Sequence, residues 1–128
     1  MRAGRVAPGT VVTQQFRPAQ RIRRRPEFKT VYDKGQRISG RFMTVFLFGR
    51  SDGGPARLGV AATRKFGGAV ERNRAKRVVR DVFRRTVHPP DLDVVVVPRS
   101  GFLEATYQNI EADYAACIAR RRASRPGR

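Results

Sequence analysis

Apolar residues recur at helical spacing in three parts of the chain. In the first part they occupy positions i, i+3 and i+4: Phe28, Val31 and Tyr32. Pro26 before them and Gly35 after them are typical of the two ends of a helix, so a short amphipathic helix is predicted there. A longer pattern predicts a helix over residues 70–87, and a third helix is predicted to begin at Ser100 or Thr106.

Strands are predicted where β-branched and aromatic residues are concentrated. Residues 37–39 and 41–48 favour a short and a longer strand. The turn-forming residues 51–55 predict that residues 57–63 return as the second strand of a hairpin. Residues 92–97 are almost continuously apolar, which predicts a buried central strand. The order α-β-β-β-α-β-α predicts an α+β fold, a two-layer sandwich in which a mixed four-stranded sheet is packed with helices.

The length of 128 residues predicts a single domain with a substantial core. This domain is expected over residues 21–120, with a basic, mobile arm at residues 1–20 and a basic tail at residues 121–128. Cys117 is the only cysteine, which excludes a disulfide within the chain and favours a small core residue. The sequence contains neither a membrane-spanning apolar run nor a secretory signal, so a cytoplasmic location is expected.

Charge changes this picture of an ordinary small domain. The chain has 28 Lys and Arg residues against 10 Asp and Glu residues, a formal net charge of +18. Because self-repulsion destabilises a compact fold, an anionic partner is the simplest explanation. Nucleic acid is such a partner, and its binding is salt-dependent. An anionic membrane surface would require an amphipathic anchor or a lipidation signal, and neither is evident. The charge therefore predicts a nucleic-acid partner rather than a membrane or a small-molecule substrate.

The predicted long helix has an apolar side and a cationic side. The apolar side is expected to face the core and contains Ala75, Val78, Val79, Val82 and Phe83. The opposite side contains Asn73, Lys76, Arg77, Arg80 and Arg84, with Arg72 at its edge. Like charges four residues apart destabilise a helix by a few tenths of a kcal/mol per pair. A row of RNA phosphates would remove this repulsion, although a solvated charged face remains the alternative.

Few side chains are suited to catalysis. His88 precedes two prolines and is expected to cap the end of the long helix as a favourable charge. Asp91 and Asp93 could form a metal pair, but they have no third carboxylate nearby, so a role in a turn is predicted instead. The sequence contains nothing that resembles a nucleophile with its base. No catalytic residue and no metal ligand is therefore predicted.

Residues 65–80, KFGGAVERNRAKRVVR, resemble the signature segment of the bacterial ribonuclease P protein family. Two further blocks resemble the same family: residues 21–35, which contain the first predicted helix, and Gly59-Val60-Ala61 in the third predicted strand. The resemblance extends over residues 21–120. It implies a fold similar to domain 2 of ribosomal protein S5, including an unusual left-handed βαβ crossover.

The resemblance also implies a function. Proteins of this family are the non-catalytic subunit of an endoribonuclease that removes the 5′ leader from precursor tRNA. The implied partners are the catalytic RNA and precursor tRNA. The implied cofactor is Mg²⁺ held mainly by the RNA, with no organic cofactor.

Particular residues take roles from this resemblance. The residues implied to contact RNA are Lys65, Arg72, Asn73, Arg74, Lys76, Arg77, Arg80 and Arg84. A cleft for the single-stranded leader would be lined by Phe28, Tyr32 and Phe46. Aromatic platforms beside a basic groove suit a single strand of any sequence. Each of the three aromatic residues could equally be a core residue.

Two other functions fit the charge. A ribosomal or other structural RNA-binding protein would have the same composition and no role in cleavage. A DNA-binding helix-turn-helix protein would need a second helix immediately before the Arg-rich one, where a strand and a glycine turn are predicted instead.

Overall fold

A computed structural model describes residues 20–121, which form an α+β domain. Its helices are α1 (Arg25–Lys34), α2 (Ala69–Arg85) and α3 (Tyr107–Ala119), and its strands are β1 (Gln36–Ser39), β2 (Met43–Gly49), β3 (Arg57–Val60) and β4 (Leu92–Pro98). The predicted order α-β-β-β-α-β-α and the mixed four-stranded sheet are confirmed. Apart from Gln20 and Arg121, the predicted arm and tail lie outside the described residues. No helix in the described part is long and apolar enough to cross a membrane.

The strand order in the sheet is β1-β2-β4-β3. Strands β1 and β2 form an antiparallel pair, as do β2 and β4, whereas β3 and β4 are parallel. The prediction that residues 92–97 form a central strand is confirmed. Val94, Val95 and Val96 are fully buried because the strand has a neighbour on each side and helices on both faces.

The predicted hairpin between residues 41–48 and 57–63 is wrong, because β4 lies between β2 and β3. The turn-forming residues instead pass around the start of β4. The backbone N–H of Arg50 donates to the carbonyl of Asp91 at 2.8 Å, and the N–H of Asp91 donates to the carbonyl of Gly54 at 3.0 Å. Helix α2 then connects β3 to its parallel neighbour β4, forming a βαβ unit. The left-handed crossover stays a prediction.

Successive residues of β4 face two different cores. Val94 and Val96 contribute to the larger core with α2 and α3, and this part is the predicted sandwich of sheet and helices. Val95 lies in a smaller core on the other face, where α1 packs, and Val97 packs against it from the same strand. Helix α1 thus covers the sheet face opposite α2 and α3.

A buried ion-pair cluster attaches the start of α1 to the sheet. Asp93 of β4 is only 3% exposed and pairs with both Arg50 and Arg57. Arg57 also reaches Glu27 in the first turn of α1, at 3.1 Å. The predicted turn role is correct for Asp91, whose φ is 67°, but wrong for Asp93, whose charge is used inside the sheet.

The single histidine is neutral rather than a charged helix cap. The ring of His88 stacks on Phe83 at a centroid distance of 4.2 Å, and its Nε2 lies 2.7 Å from the hydroxyl of Tyr114. Burial lowers the pKa of His88 to about 4, so the expected favourable charge is absent at neutral pH.

The prediction that Cys117 is a small core residue is confirmed, because its side chain is fully buried in the larger core.

Candidate nucleic-acid interface

The polar residues of α2 point in three directions. Its apolar stripe is anchored in the larger core by Ala75, Val79, Val82 and Phe83. Beside this stripe, on the side of β3, lie three half-buried cations at spacing i, i+4, i+8: Arg72, Lys76 and Arg80. Asn73 and Arg77 are exposed on the outer side of the helix. Arg74 lies on the side of α3, where it borders a depression of about 200 Å³. The predicted cationic side is therefore divided into separate surfaces.

Two of the predicted RNA-binding arginines already have partners within the fold. Arg72 donates from Nη1 to the carbonyl of Gly67 at 3.0 Å, which fixes the loop before α2. Arg84 pairs with Asp81 at 2.6 Å, and the same carboxylate accepts a hydrogen bond from the hydroxyl of Tyr107. Lys65 is exposed in the loop that precedes α2.

A groove of about 390 Å³ lies between α2, β3 and the start of α1. Lys76 and Arg80 line one wall, and Phe28 lines the other together with Arg21 and Arg23. Burial, together with the positive charge of Arg21, lowers the pKa of Arg80. Since two guanidinium groups repel each other across this groove, a phosphate between them would be favourable. The sequence analysis did not predict Arg21 and Arg23 as groove residues. A run of charged residues does not indicate which helix or strand it lies against.

Gly59 allows the close contact that forms the floor of this groove. A Cβ atom at this position would lie 2.7 Å from the ring of Phe28. Helix α1 can therefore pack its first aromatic residue directly on the backbone of β3.

The three predicted cleft aromatics are brought together on the α1 face of the sheet. The rings of Phe28 and Tyr32 have centroids 6.4 Å apart, and Tyr32 meets Phe46 edge-on at 4.9 Å. Phe28 and Phe46 are half-buried in the smaller core, whereas Tyr32 is 39% exposed. Burial raises the pKa of Tyr32, so its hydroxyl stays a neutral donor. Phe28 borders both the groove and the ring of Tyr32, so cations and aromatics form one surface.

A further cation neighbours this aromatic group. Arg37 of β1 is the cross-strand partner of Phe46, and both lie on the sheet face opposite Ile38, which is buried in the larger core. Because successive side chains of a strand point to opposite faces, the sequence could have shown that Arg37 lies opposite the apolar Ile38.

Among the described residues, no group of three or more His, Cys, Asp or Glu side chains could hold a metal ion.

Comparisons with known proteins agree on one family. A model of the family described as Ribonuclease P matches residues 16–122. The ribonuclease P protein component of Thermotoga petrophila is 37% identical over 95 residues, which are 73% of this chain and 80% of that protein. The corresponding protein of Desulfovibrio desulfuricans is 38% identical over 112 residues, 84% of this chain and 86% of that one.

Solved structures agree with this similarity. The RNase P protein from Thermotoga maritima matches with a TM-score of 0.72 at 29% identity, covering 80% of this chain and 98% of that one. The Staphylococcus aureus RNase P protein matches with a TM-score of 0.71 at 27% identity, covering 79% and 94%.

Proposed function

Because this chain belongs to the ribonuclease P protein family, we propose that it is the protein subunit of a cytoplasmic ribonuclease P. In this role it binds a catalytic RNA and the 5′ leader of precursor tRNA, and it assists endonucleolytic removal of that leader. The observation that carries the proposal is the continuous surface on which the cations of α2, Phe28 and the exposed ring of Tyr32 follow one another.

The outer side of α2 is assigned to the catalytic RNA. Asn73 and Arg77 are exposed there, and Lys76 and Arg80 follow on the groove side. Guanidinium groups donate paired hydrogen bonds to phosphate oxygens, which suits a row of arginines one turn apart. Arg72 and Arg84 contribute charge, but their hydrogen bonds to Gly67 and Asp81 hold the helix and its loop in place. Lys65 and Arg74 extend the contact at its two sides.

The aromatic surface is assigned to the leader. Stacking on an aromatic ring tolerates any base, which suits leaders of varying sequence. Tyr32 is the ring best placed to stack because it is the most exposed of the three. Phe28 and Phe46 support it, with ring centroids 6.4 and 4.9 Å from its own.

The hydrolytic step is assigned to Mg²⁺ held by the RNA. The metal would supply the attacking water and stabilise the departing oxygen. The residues of this chain hold the leader, and their positive charge lowers the repulsion between two polyanions. No proton transfer is assigned to a side chain of the protein.

A cleavage assay tests this function. A bacterial ribonuclease P RNA is incubated with precursor tRNA at low Mg²⁺, with and without this protein. Cleavage at the mature 5′ end that requires both components is the expected result. Binding to the RNA without any effect on cleavage would overturn the proposal and favour a structural RNA-binding protein.

A further inference from the structure

A second cationic surface lies at the edge of the sheet farthest from α2. A groove of about 340 Å³ follows edge strand β1 and is lined by Gln36, Arg37, Ile38 and Arg120. Strand β3, which contributes to the first groove, forms the opposite edge. With strands about 4.8 Å apart, roughly 14 Å separates the two edges. Among the residues that line this second groove there is no carboxylate.

Two arginines reach this edge from opposite faces of the sheet. Arg37 is exposed and stands on the α1 face, where its cross-strand partner is Phe46. Arg120 comes from the end of α3 on the other face, and its Nη1 donates to the carbonyl of Ser39 at 3.0 Å. The edge is therefore flanked by positive charge above and below.

The nearby carboxylate of Asp113 in α3 lies at the turn between β1 and β2 and does not line the groove. Its two oxygens accept hydrogen bonds from the backbone N–H groups of Arg41 and Phe42, at 2.9 and 2.8 Å. The groove itself is thus lined by two guanidinium groups and no carboxylate, which favours an anion there.

We infer that Arg37 and Arg120 bind the phosphates of the distal part of the leader, beyond the nucleotides that stack on the aromatic surface. This inference rests on the proposed function. If the catalytic RNA lies against α2, the scissile end of the leader is at the β3 side of the sheet. A strand that continues past Tyr32 and Phe46 then leaves the protein across β1, where Arg37 is the next side chain in the same cross-strand row.

The inference predicts an effect that depends on leader length. Holoenzyme reconstituted with a bacterial ribonuclease P RNA is titrated with precursor tRNAs whose leaders have about 4 or about 16 nucleotides, the limits of site sizes for single-strand-binding folds. Arg37→Gln, whose exposed side chain can be changed without unfolding the protein, should weaken binding of the long leader about 10-fold, the value of one charged hydrogen bond. Binding of the short leader should stay unchanged. Arg120→Gln should act in the same direction.

Arg85→Gln is the matched control. It removes the same charge from an exposed arginine that pairs with Asp81 on the side of α3, and it should affect neither substrate. An unchanged affinity of Arg37→Gln for the long leader would overturn the inference, as would equal losses for both leaders. In either case the short leader would still require the protein for cleavage at low Mg²⁺, so the proposed function would stand.

Cross-linking tests the direction of the strand. A photoreactive group attached at Arg37→Cys should reach leader nucleotides farther from the cleavage site than the same group at Tyr32→Cys. The natural Cys117 is buried, which directs labelling to the introduced thiol. Cross-links from Arg37→Cys nearer to the cleavage site would contradict the inference. Failure to cross-link the leader, combined with cross-linking of an oligo-glutamate peptide, would identify a peptide site instead.

Discussion

Tyr32 combines partial exposure with rigid support, which is what a stacking platform requires. Its ring is 39% exposed and meets Phe46 edge-on at 4.9 Å. Phe28 shares the same face but contacts the backbone of Gly59, so its removal would also disturb the packing of α1. A substitution at Tyr32 therefore separates recognition from folding better than one at Phe28.

Tyr32→Ala should weaken binding of precursor tRNA to the holoenzyme by a factor of about 5 to 150, corresponding to about 1–3 kcal/mol for one stacked base. Mature tRNA, which has no leader, should bind as before. Tyr32→Phe keeps the ring and is the control, for which most of the affinity should be retained. Equilibrium binding of both tRNAs measures the effect, and equal losses for both would contradict a leader contact.

His88 gives the free protein a pH-dependent stability. Burial lowers its pKa to about 4 in the folded state, whereas an exposed histidine in the unfolded chain has a pKa of about 6.5. As the pH falls between these values, the unfolded chain takes up the proton first. The free energy of unfolding should therefore fall from pH 6.5 to pH 4, by roughly 3 kcal/mol. Above pH 6.5 this contribution is fully present.

Urea unfolding at several pH values checks this contribution. His88→Gln should be less stable than the original protein at pH 7, because it loses the stacking on Phe83, but its stability should fall less steeply between pH 6.5 and pH 4. The carboxylates titrate in both proteins and so cancel in the comparison. Parallel pH curves would show that His88 does not carry the effect.

At the scale of elements, the helices were predictable and the strand pairing was only partly so. The apolar stripe of α2 repeats every three or four residues, so its ends and its buried side follow from local sequence. The partner of β3 depends on residues 92–98, more than thirty positions away, and no local signal distinguishes a hairpin from the observed parallel pairing.

The candidate site shows the same limit. Periodicity placed Lys76, Arg77 and Arg80 away from the core, but the division of α2 into a groove side, an outer side and an α3 side depends on which elements pack beside it. Arg84 looked like part of one cationic row, and its pairing with Asp81 became visible only with the fold.

The cationic side of α2 should determine the salt dependence of RNA binding. Each phosphate contact adds about one unit to the slope of log K against log salt concentration. Arg77→Gln and Arg80→Gln should each reduce the slope by about one unit, and the double variant by about two. Arg85→Gln, on the α3 side, should leave it unchanged. Titration of the catalytic RNA at several salt concentrations measures the slopes, and an unchanged slope in the double variant would remove the phosphate assignment.

At the scale of the whole molecule, five of the ten acidic residues form ion pairs within the fold. The carboxylates that take part in ion pairs are Glu27, Asp33, Asp52, Asp81 and Asp93. The full chain has a net charge of +18, and arginines line the grooves at both edges of the sheet. This excess favours assembly with RNA and opposes the stability of the protein alone.

The double variant Arg77→Gln/Arg80→Gln should consequently be more stable than the original protein when RNA is absent. Glutamine has nearly the same helix propensity as arginine, so the change mainly removes repulsion along α2. At about 10 mM salt, where the Debye length is about 30 Å, the gain in the free energy of unfolding should be roughly 0.5 kcal/mol, and at about 100 mM this gain should shrink.

Urea unfolding at the two salt concentrations measures this gain, since urea is uncharged and does not screen the arginines. A double variant that is less stable at low salt would mean that these arginines serve the fold rather than a partner. A gain in stability together with a reduced salt slope for RNA binding would show that the same charges destabilise the free protein and stabilise the complex.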